Sequence, residues 1–382
     1  MGVPLRLETA LRRAPVAILM KTFLIIAVGL LSFANGANDN FKGVATLWGA
    51  GLTTYKRAIA WASIFTFLGS VSAIWMGTAL AVKFSGAKFV DSPSVSQPPF
   101  LIAVAIGAGA TVLLAAALGL PISTTHSLTG ALVGAGLAGA GFSHVRFAAL
   151  GSGIVLPLLF SPIAALLLTV GVHQIIGRAT WNARNLDCIC IDEPKSLAVA
   201  SMSAPVSHVA IGPPMVRWAP AVECGTGPEI MQFSIVDGAH WVSGAAISFA
   251  RGLNDTPKIA AVLLVAAASA VRLDYLYVAL AIAAGGALAA TRVAHTMSKE
   301  ITPMAASEAI TANFVAAALV ILASPFGLPV STTHVTFGGI LGIGMLRRRE
   351  ADWGKVRLIL LSWVATLPLG AVLASLIYRL LV

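Results

Sequence analysis

Asn38 and Asp39 close the run Ser32-Phe33-Ala34-Asn35-Gly36-Ala37-Asn38-Asp39, with Lys42 three residues on. Asn254 and Asp255 close a second such run, Ser248-Phe249-Ala250-Arg251-Gly252-Leu253-Asn254-Asp255, with Lys258 three residues on. Both runs interrupt apolar segments. Glycine relaxes the backbone there, so a local helix break is expected at Gly36 and Gly252, freeing carbonyl oxygens beside the Asn and Asp side chains. Together these oxygens suit a small hard cation such as sodium at Asn38, Asp39, Asn254 and Asp255. The structural alternative is a pair of helix caps, since Asn and Asp favour N-caps.

A second motif also occurs twice. Gly119-Leu120-Pro121-Ile122-Ser123-Thr124-Thr125-His126 returns as Gly327-Leu328-Pro329-Val330-Ser331-Thr332-Thr333-His334. Proline suits the first turn of a helix, so each motif is expected to open one. Ser123, Thr124 and Thr125, with Ser331, Thr332 and Thr333, then offer hydroxyls and backbone N–H groups at the positive end of a helix dipole. That is a site for a tetrahedral oxyanion. The alternative is capping plus Ser/Thr packing between membrane helices.

Anion donors beside carboxylates make sense once protonation is considered. Phosphate that retains an O–H can donate to an Asp; fully ionised sulfate cannot. Asp39 and Asp255 therefore favour phosphate if they touch the anion, and are silent on that choice if they hold cations. His126 and His334 either serve the anion or a coupling proton, or pack as neutral rings. Arg251, standing where the first copy has Asn35, can pair with the substrate or with Asp255.

These residues must be positioned by membrane segments. A hydrophobic share of 58%, a charged share of 10% and a mean hydropathy of +0.89 exclude an ordinary soluble domain. Apolar runs long enough to cross a bilayer lie near 16–34, 58–81, 100–119, 121–141 and 147–176, and again near 236–267, 271–291, 305–324, 328–346 and 356–380. The second copies lie 216 residues (Asp255 against Asp39) and 208 residues (Pro329 against Pro121) after the first. This marks a duplicated unit. The expected fold is an all-α polytopic membrane protein of two inverted repeats, each of about five segments, with broken or re-entrant helices at the motifs. The first repeat is 16–177, a polar Pro-containing linker is 178–232, and the second repeat is 233–381.

The net charge of +10 lies mostly in loops and at the N-terminus, as membrane proteins keep it, and does not indicate a nucleic-acid partner. Arg6, Arg12, Arg13 and Lys21, and the later cluster Arg347-Arg348-Arg349, fall on opposite sides if there are ten simple crossings, so the charges assign no orientation. The first apolar run continues directly into Asn35-Gly36, unlike a cleaved signal. Cys188, Cys190 and Cys224 sit in the linker at a spacing that fits no common zinc site; free thiols are expected, with a metal clip or a disulfide as the minor alternative.

As a doubled set, Gly36-Ala37-Asn38-Asp39, Gly252-Leu253-Asn254-Asp255 and the two Pro-x-Ser-Thr-Thr-His segments resemble the inorganic phosphate transporter family, the sodium- or proton-coupled PiT group. The resemblance covers nearly the whole chain outside the linker. It implies a multi-pass protein of the cell membrane, surrounded by lipid bilayer, that binds inorganic phosphate between its halves and carries it with sodium or protons by alternating access. An assembly of like chains is compatible with it. It implies that the Asn-Asp and Ser-Thr motifs form the anion and cation sites, and no organic cofactor. One departure stands out: the family's usual Asn-Asp-Val-Ala-Asn ends here in Lys42 and Lys258. Either these lysines substitute for sodium, or they snorkel or pair with the neighbouring Asp. The rival readings are a permease for sulfate or another tetrahedral oxyanion, a membrane receptor for such an anion, and an intramembrane hydrolase using Asp39 and Asp255. No water-activating metal motif or serine-nucleophile signature supports the enzyme.

Overall fold

The computed structural model describes residues 5–180, 188–192, 195–201, 204–211, 213–219, 229–266, 270–299, 305–346 and 352–382. Arg347–Arg349 and Cys224 lie outside the described residues. In chain order the helices are α1 (Leu5–Asp39), α2 (Ala45–Gly49), α3 (Tyr55–Met76), α4 (Thr78–Phe84), α5 (Pro98–Ala117), α6 (Thr124–Gly139), α7 (Phe147–Leu150) and α8 (Leu156–Thr180). After five strands come α9 (Ile235–Val265), α10 (Val271–Ala289), α11 (Thr291–Lys299), α12 (Ala306–Ala323), α13 (Thr332–Leu346) and α14 (Trp353–Leu381).

The chain divides into two compact units. One comprises residues 1–170 and 243–382 and the other residues 171–242. The smaller unit contains β1 (Cys188–Asp192), β2 (Lys195–Ser201), β3 (Ala204–Ile211), β4 (Met215–Ala219) and β5 (Glu229–Ser234). They form an antiparallel sheet in the order β4-β1-β5 and a β2-β3 pair. The all-α expectation therefore applies to the larger unit alone. Prolines and polarity marked this stretch in the sequence, whereas the strand pairings depend on partners too far apart for local patterning to reveal. Cys188 and Cys190 are disulfide-bonded, correcting the expectation of free thiols.

The larger unit has an apolar core that includes Leu31, Phe100 and Val104, yet it also buries charges and exposes large apolar side chains. Asp39, Lys42, Arg251, Asp255 and Lys258 are at most 4% exposed, while Leu361, Val364, Phe160 and Trp75 are each more than 60% exposed. Large apolar side chains facing outward around a charged interior are what a lipid solvent selects. Among the described residues, seven helices are long and apolar enough to cross a membrane: Pro15–Gly49, Tyr55–Met76, Pro98–Ala117, Phe147–Ile175, Val271–Ala289, Ala306–Ala323 and Trp353–Leu381. All ten apolar runs read from the sequence fall on helices, but three do not meet this description. Helix α9 is long enough yet carries Arg251, Asp255 and Lys258 in its middle. Helices α6 and α13 have 16 and 15 residues, about 24 Å at 1.5 Å per residue, short of a hydrocarbon core of ~30 Å.

The helix break differs from the expectation at the Asn-Asp motifs. Helix α1 runs through Gly36 to Asp39, and only then tightens into a 3₁₀ turn over Asn40–Val44, before α2. Helix α9 continues through Gly252 and Asp255, with Pro257 inside it. The two glycines serve close packing instead. A Cβ on Gly36 would lie 2.0 Å from the carbonyl oxygen of Ile282 in α10, and a Cβ on Gly252 would lie 2.0 Å from that of Thr66 in α3. Each motif helix thus packs on the second long helix of the other half. Ile282 and Thr66 are themselves 216 residues apart, the same step that separates the glycines. The later helices repeat the exchange: Gly130 of α6 abuts the Leu367 carbonyl of α14, and Gly338 of α13 abuts the Pro162 carbonyl of α8. Small residues at these crossings let backbones touch, which is how helices associate in lipid.

Candidate functional site

Lys42 lies in the 3₁₀ turn after α1, with all five residues of that turn buried. Its ammonium pairs with Asp39 and donates to Asn38 Oδ1 at 2.9 Å, to the Ile122 carbonyl at 2.9 Å and to Thr333 Oγ1 at 2.7 Å. The shell is made of a carboxylate, an amide, a backbone carbonyl and a hydroxyl. Asn38 is held in turn, its Nδ2 donating to the Leu120 carbonyl at 2.8 Å and its Oδ1 accepting from the Ile122 N–H at 3.1 Å.

The second half builds the same arrangement. Lys258 of α9 pairs with Asp255 at 3.3 Å and donates to the Val330 carbonyl at 2.9 Å and to Thr125 Oγ1 at 2.9 Å. Asn254 Nδ2 donates to the Val330 carbonyl at 3.1 Å and to Asp255 Oδ1 at 2.9 Å, while its Oδ1 is buried without a partner. Each lysine therefore bonds a carbonyl of its own half and a threonine hydroxyl of the other. Neither lysine snorkels to the surface.

Between these shells, positions equivalent by the repeat meet each other. Arg251 Nη2 donates to Asn35 Oδ1 at 2.8 Å, and Nη1 reaches Asn40 Oδ1 at 2.6 Å and Thr66 Oγ1 at 3.4 Å. Its Nε lies 3.8 Å from Asp255 Oδ2. Asn35 Nδ2 bridges Asp39 Oδ2 at 2.9 Å, Thr124 Oγ1 at 3.0 Å and Asp255 Oδ2 at 3.5 Å, and Thr124 Oγ1 also donates to Asp39 Oδ2 at 2.9 Å. Arg251 thus hydrogen-bonds three neutral oxygens of the opposite half and lies at ion-pair distance from Asp255, its Nε making no hydrogen bond. Three formal cations (Lys42, Arg251 and Lys258) surround two carboxylates (Asp39 and Asp255), all buried. This excess of one positive charge in a low-dielectric interior suits an anion.

The Ser-Thr-Thr-His segments start helices, but one turn later than the prolines suggested. Pro121 and Pro329 precede the helices. Ser123 is the N-cap of α6, its hydroxyl accepting from the His126 N–H at 3.3 Å, and Ser331 caps α13 in the same way through the His334 N–H. A serine side chain can satisfy a first-turn N–H, which proline cannot do. Thr124, Thr125, Thr332 and Thr333 form the first turns and are buried. His126 and His334 meet edge to face with ring centroids 4.7 Å apart. His334 stacks on Trp363 at 3.9 Å and contacts the Leu158 carbonyl through Nδ1 at 3.0 Å. His126 Nδ1 and His334 Nε2 have no partner.

All twelve residues expected from the sequence lie at this centre or on the first turns beside it. Asn35, Asn40, Thr66 and the carbonyls of Ile122 and Val330 were not foreseen. A signal for Asn35 existed: it occupies the position that is Arg251 in the second copy, and the structure brings these two positions together. The carbonyls left no trace, because any residue supplies one. Thr124, Thr125, Leu128, Asp255, Lys258 and Ile259 line a crevice too narrow to admit a water molecule. A tetrahedral anion can be received here only if these side chains separate. Among the described residues no group of His, Cys, Asp and Glu is arranged to hold a metal.

An outward apolar surface around a buried, duplicated, charged centre marks a polytopic membrane protein. A solved structure described as the sodium-dependent phosphate transporter shares the fold, with a TM-score of 0.73 at 21% identity over 95% of this chain and 98% of that one. The chain belongs to the phosphate transporter family, whose sequence profile matches residues 35–374. Relatives include a Pyrococcus abyssi protein named as a phosphate permease, 29% identical over 94% of this chain and 97% of its own. A Rhizobium meliloti protein named for low-affinity inorganic phosphate transport is 28% identical over 93% and 94%. The chloroplastic inorganic phosphate transporter 2-1 of Arabidopsis thaliana is 26% identical over 89% and 68%.

Proposed function

We propose that this protein is a secondary transporter of inorganic phosphate in the cell membrane, coupled to sodium or protons and working by alternating access between two inverted halves. The observation that carries this reading is the exchange of partners at the centre. Lys42 bonds Thr333, and Lys258 bonds Thr125. A site made jointly by two halves is opened to either side when one half rocks against the other. The reciprocal packing of Gly36 and Gly252 supports two equivalent halves, and the short helices α6 and α13 suit re-entrant segments ending at the site.

Phosphate fits better than sulfate. The threonine hydroxyls and the cationic side chains can donate to an oxyanion, while Asp39 and Asp255 accept a hydrogen bond from a phosphate O–H. Against a fully ionised sulfate the same carboxylates are repulsive. A hydrolase is disfavoured by membership in a transporter family. The test is radiolabelled phosphate uptake into proteoliposomes, with sodium and pH gradients imposed separately and sulfate as competitor. Uptake driven by one gradient and resistant to sulfate is the expected result. Sulfate uptake would overturn the substrate. Phosphate binding without flux under either gradient would make the protein a receptor.

A further inference from the structure

The oxygen shells described above are cation shells by their chemistry. Carboxylate, amide, carbonyl and hydroxyl oxygens, with no nitrogen or sulfur among them, are the donors that hard cations take. Around Lys42 four such oxygens converge on one point, three of them at 2.7–2.9 Å, and the fourth belongs to Asp39. Around Lys258 three converge at 2.9–3.3 Å. In both cases the point is occupied by an ammonium that is part of the chain. Sodium does not fit beside it. It would share the same oxygens with a positive charge at hydrogen-bond distance, in an interior where like charges repel strongly.

We propose that Lys42 and Lys258 are tethered cations filling the two oxygen shells, so that phosphate transport by this protein neither requires sodium nor carries it. This rests on the phosphate-transport reading. It also removes sodium from the coupling ions left open there, so that transport is proton-coupled or uncoupled. The physical consequence is a centre whose compensating charge stays with the protein in every state, whereas a bound metal ion would enter and leave with substrate. Binding phosphate then needs no preceding cation step. The lysine that carries the charge also holds the two halves together through Thr333 or Thr125, so an incoming anion competes for the latch itself.

Two measurements on the whole protein test this. The first is phosphate uptake by wild-type proteoliposomes with all sodium replaced by choline, with ²²Na⁺ accumulation followed in a parallel sodium-containing sample. The second is equilibrium ²²Na⁺ binding to purified protein in detergent, which does not depend on transport. The expected results are uptake unchanged in choline, no sodium accumulation accompanying phosphate, and no specific sodium binding. The Lys42→Ala/Lys258→Ala variant empties both shells. In it, ²²Na⁺ binding should appear, and phosphate binding should depend on sodium by at least about tenfold, the factor that ~1.4 kcal/mol represents. Uptake that collapses without sodium, sodium entering with phosphate, or sodium bound by the wild type would each overturn the proposal. Failure of phosphate uptake in every medium would instead overturn the phosphate reading, and the binding measurement would then decide the role of the lysines by itself.

Discussion

The Lys42 ammonium donates to Thr333 Oγ1 at 2.7 Å, across 291 residues of chain. Lys258 repeats the contact in reverse with Thr125, across 133. In both cases a buried charge depends on a hydroxyl from the other half, so the centre exists only when the halves are docked. Removing either hydroxyl should therefore weaken the docked state more than it weakens either half. In Thr333→Val and in Thr125→Val, a hydrogen bond to a charged group is lost, worth about 1.5–3 kcal/mol. Both variants should lose phosphate uptake to a similar extent, measured as initial rates in proteoliposomes. A large loss in one and none in the other would show that the two halves do not share the work.

Asp39 pairs with Lys42 and Asp255 with Lys258, and in the proposed transporter both carboxylates accept from a phosphate O–H. Asp39→Asn and Asp255→Asn should each abolish uptake while the protein still inserts in the membrane. Removing one partner of a buried pair costs about 3–5 kcal/mol, so thermal unfolding in detergent should also shift downward in both. Near-normal uptake in both variants would remove the carboxylates from the mechanism.

Arg251 is the residue that a lysine should not replace. Its guanidinium reaches Asn35, Asn40 and Thr66 at once, and a single ammonium cannot span that fork. Arg251→Lys should lose uptake nearly as completely as Arg251→Ala. Full activity in Arg251→Lys would reduce its role to charge alone.

The glycine contacts make a stability prediction that activity does not enter. Gly36→Ala and Gly252→Ala each drive a methyl to 2.0 Å from a backbone oxygen, so a helix must shift. Overpacking of this kind costs about 1–3 kcal/mol. Both should lower the midpoint of thermal unfolding in detergent, and by similar amounts. Gly151→Ala, with nothing within 4 Å of the added Cβ, should leave it unchanged. A neutral Gly36→Ala would disprove the close helix approach.

Much of the site was legible in the sequence because polar residues in an apolar solvent are costly and stand out. Asn38, Asp39, Asn254, Asp255 and the two Ser-Thr-Thr-His segments were visible as interruptions, and their recurrence at nearly one spacing announced two like halves. The ten apolar runs gave the helices for the same reason: length and hydropathy are local properties. The smaller unit was not legible. Its strands pair residues such as Cys188 with Ala219 and with Ser234, and nothing in the local pattern identifies such partners.

The sequence by itself determined that Asn38, Asp39, Asn254 and Asp255 interrupt apolar segments, where a polar group must find partners; that Lys42 and Lys258 are buried with them was left to the structure. Tertiary structure alone decided which partners those are. Helix α1 packs on α10 and α9 on α3, and that exchange places Thr333 beside Lys42, Thr125 beside Lys258 and Asn35 beside Arg251. It also decided the meaning of Gly36 and Gly252. The same residue type permits a bent backbone or a close approach, and only the neighbouring carbonyls of Ile282 and Thr66 show that here it is the approach. The physical reason is one of range. Burial and helix formation are settled by a residue's own chemistry and its near neighbours, whereas a charge shell assembled from both halves is settled by how distant helices pack.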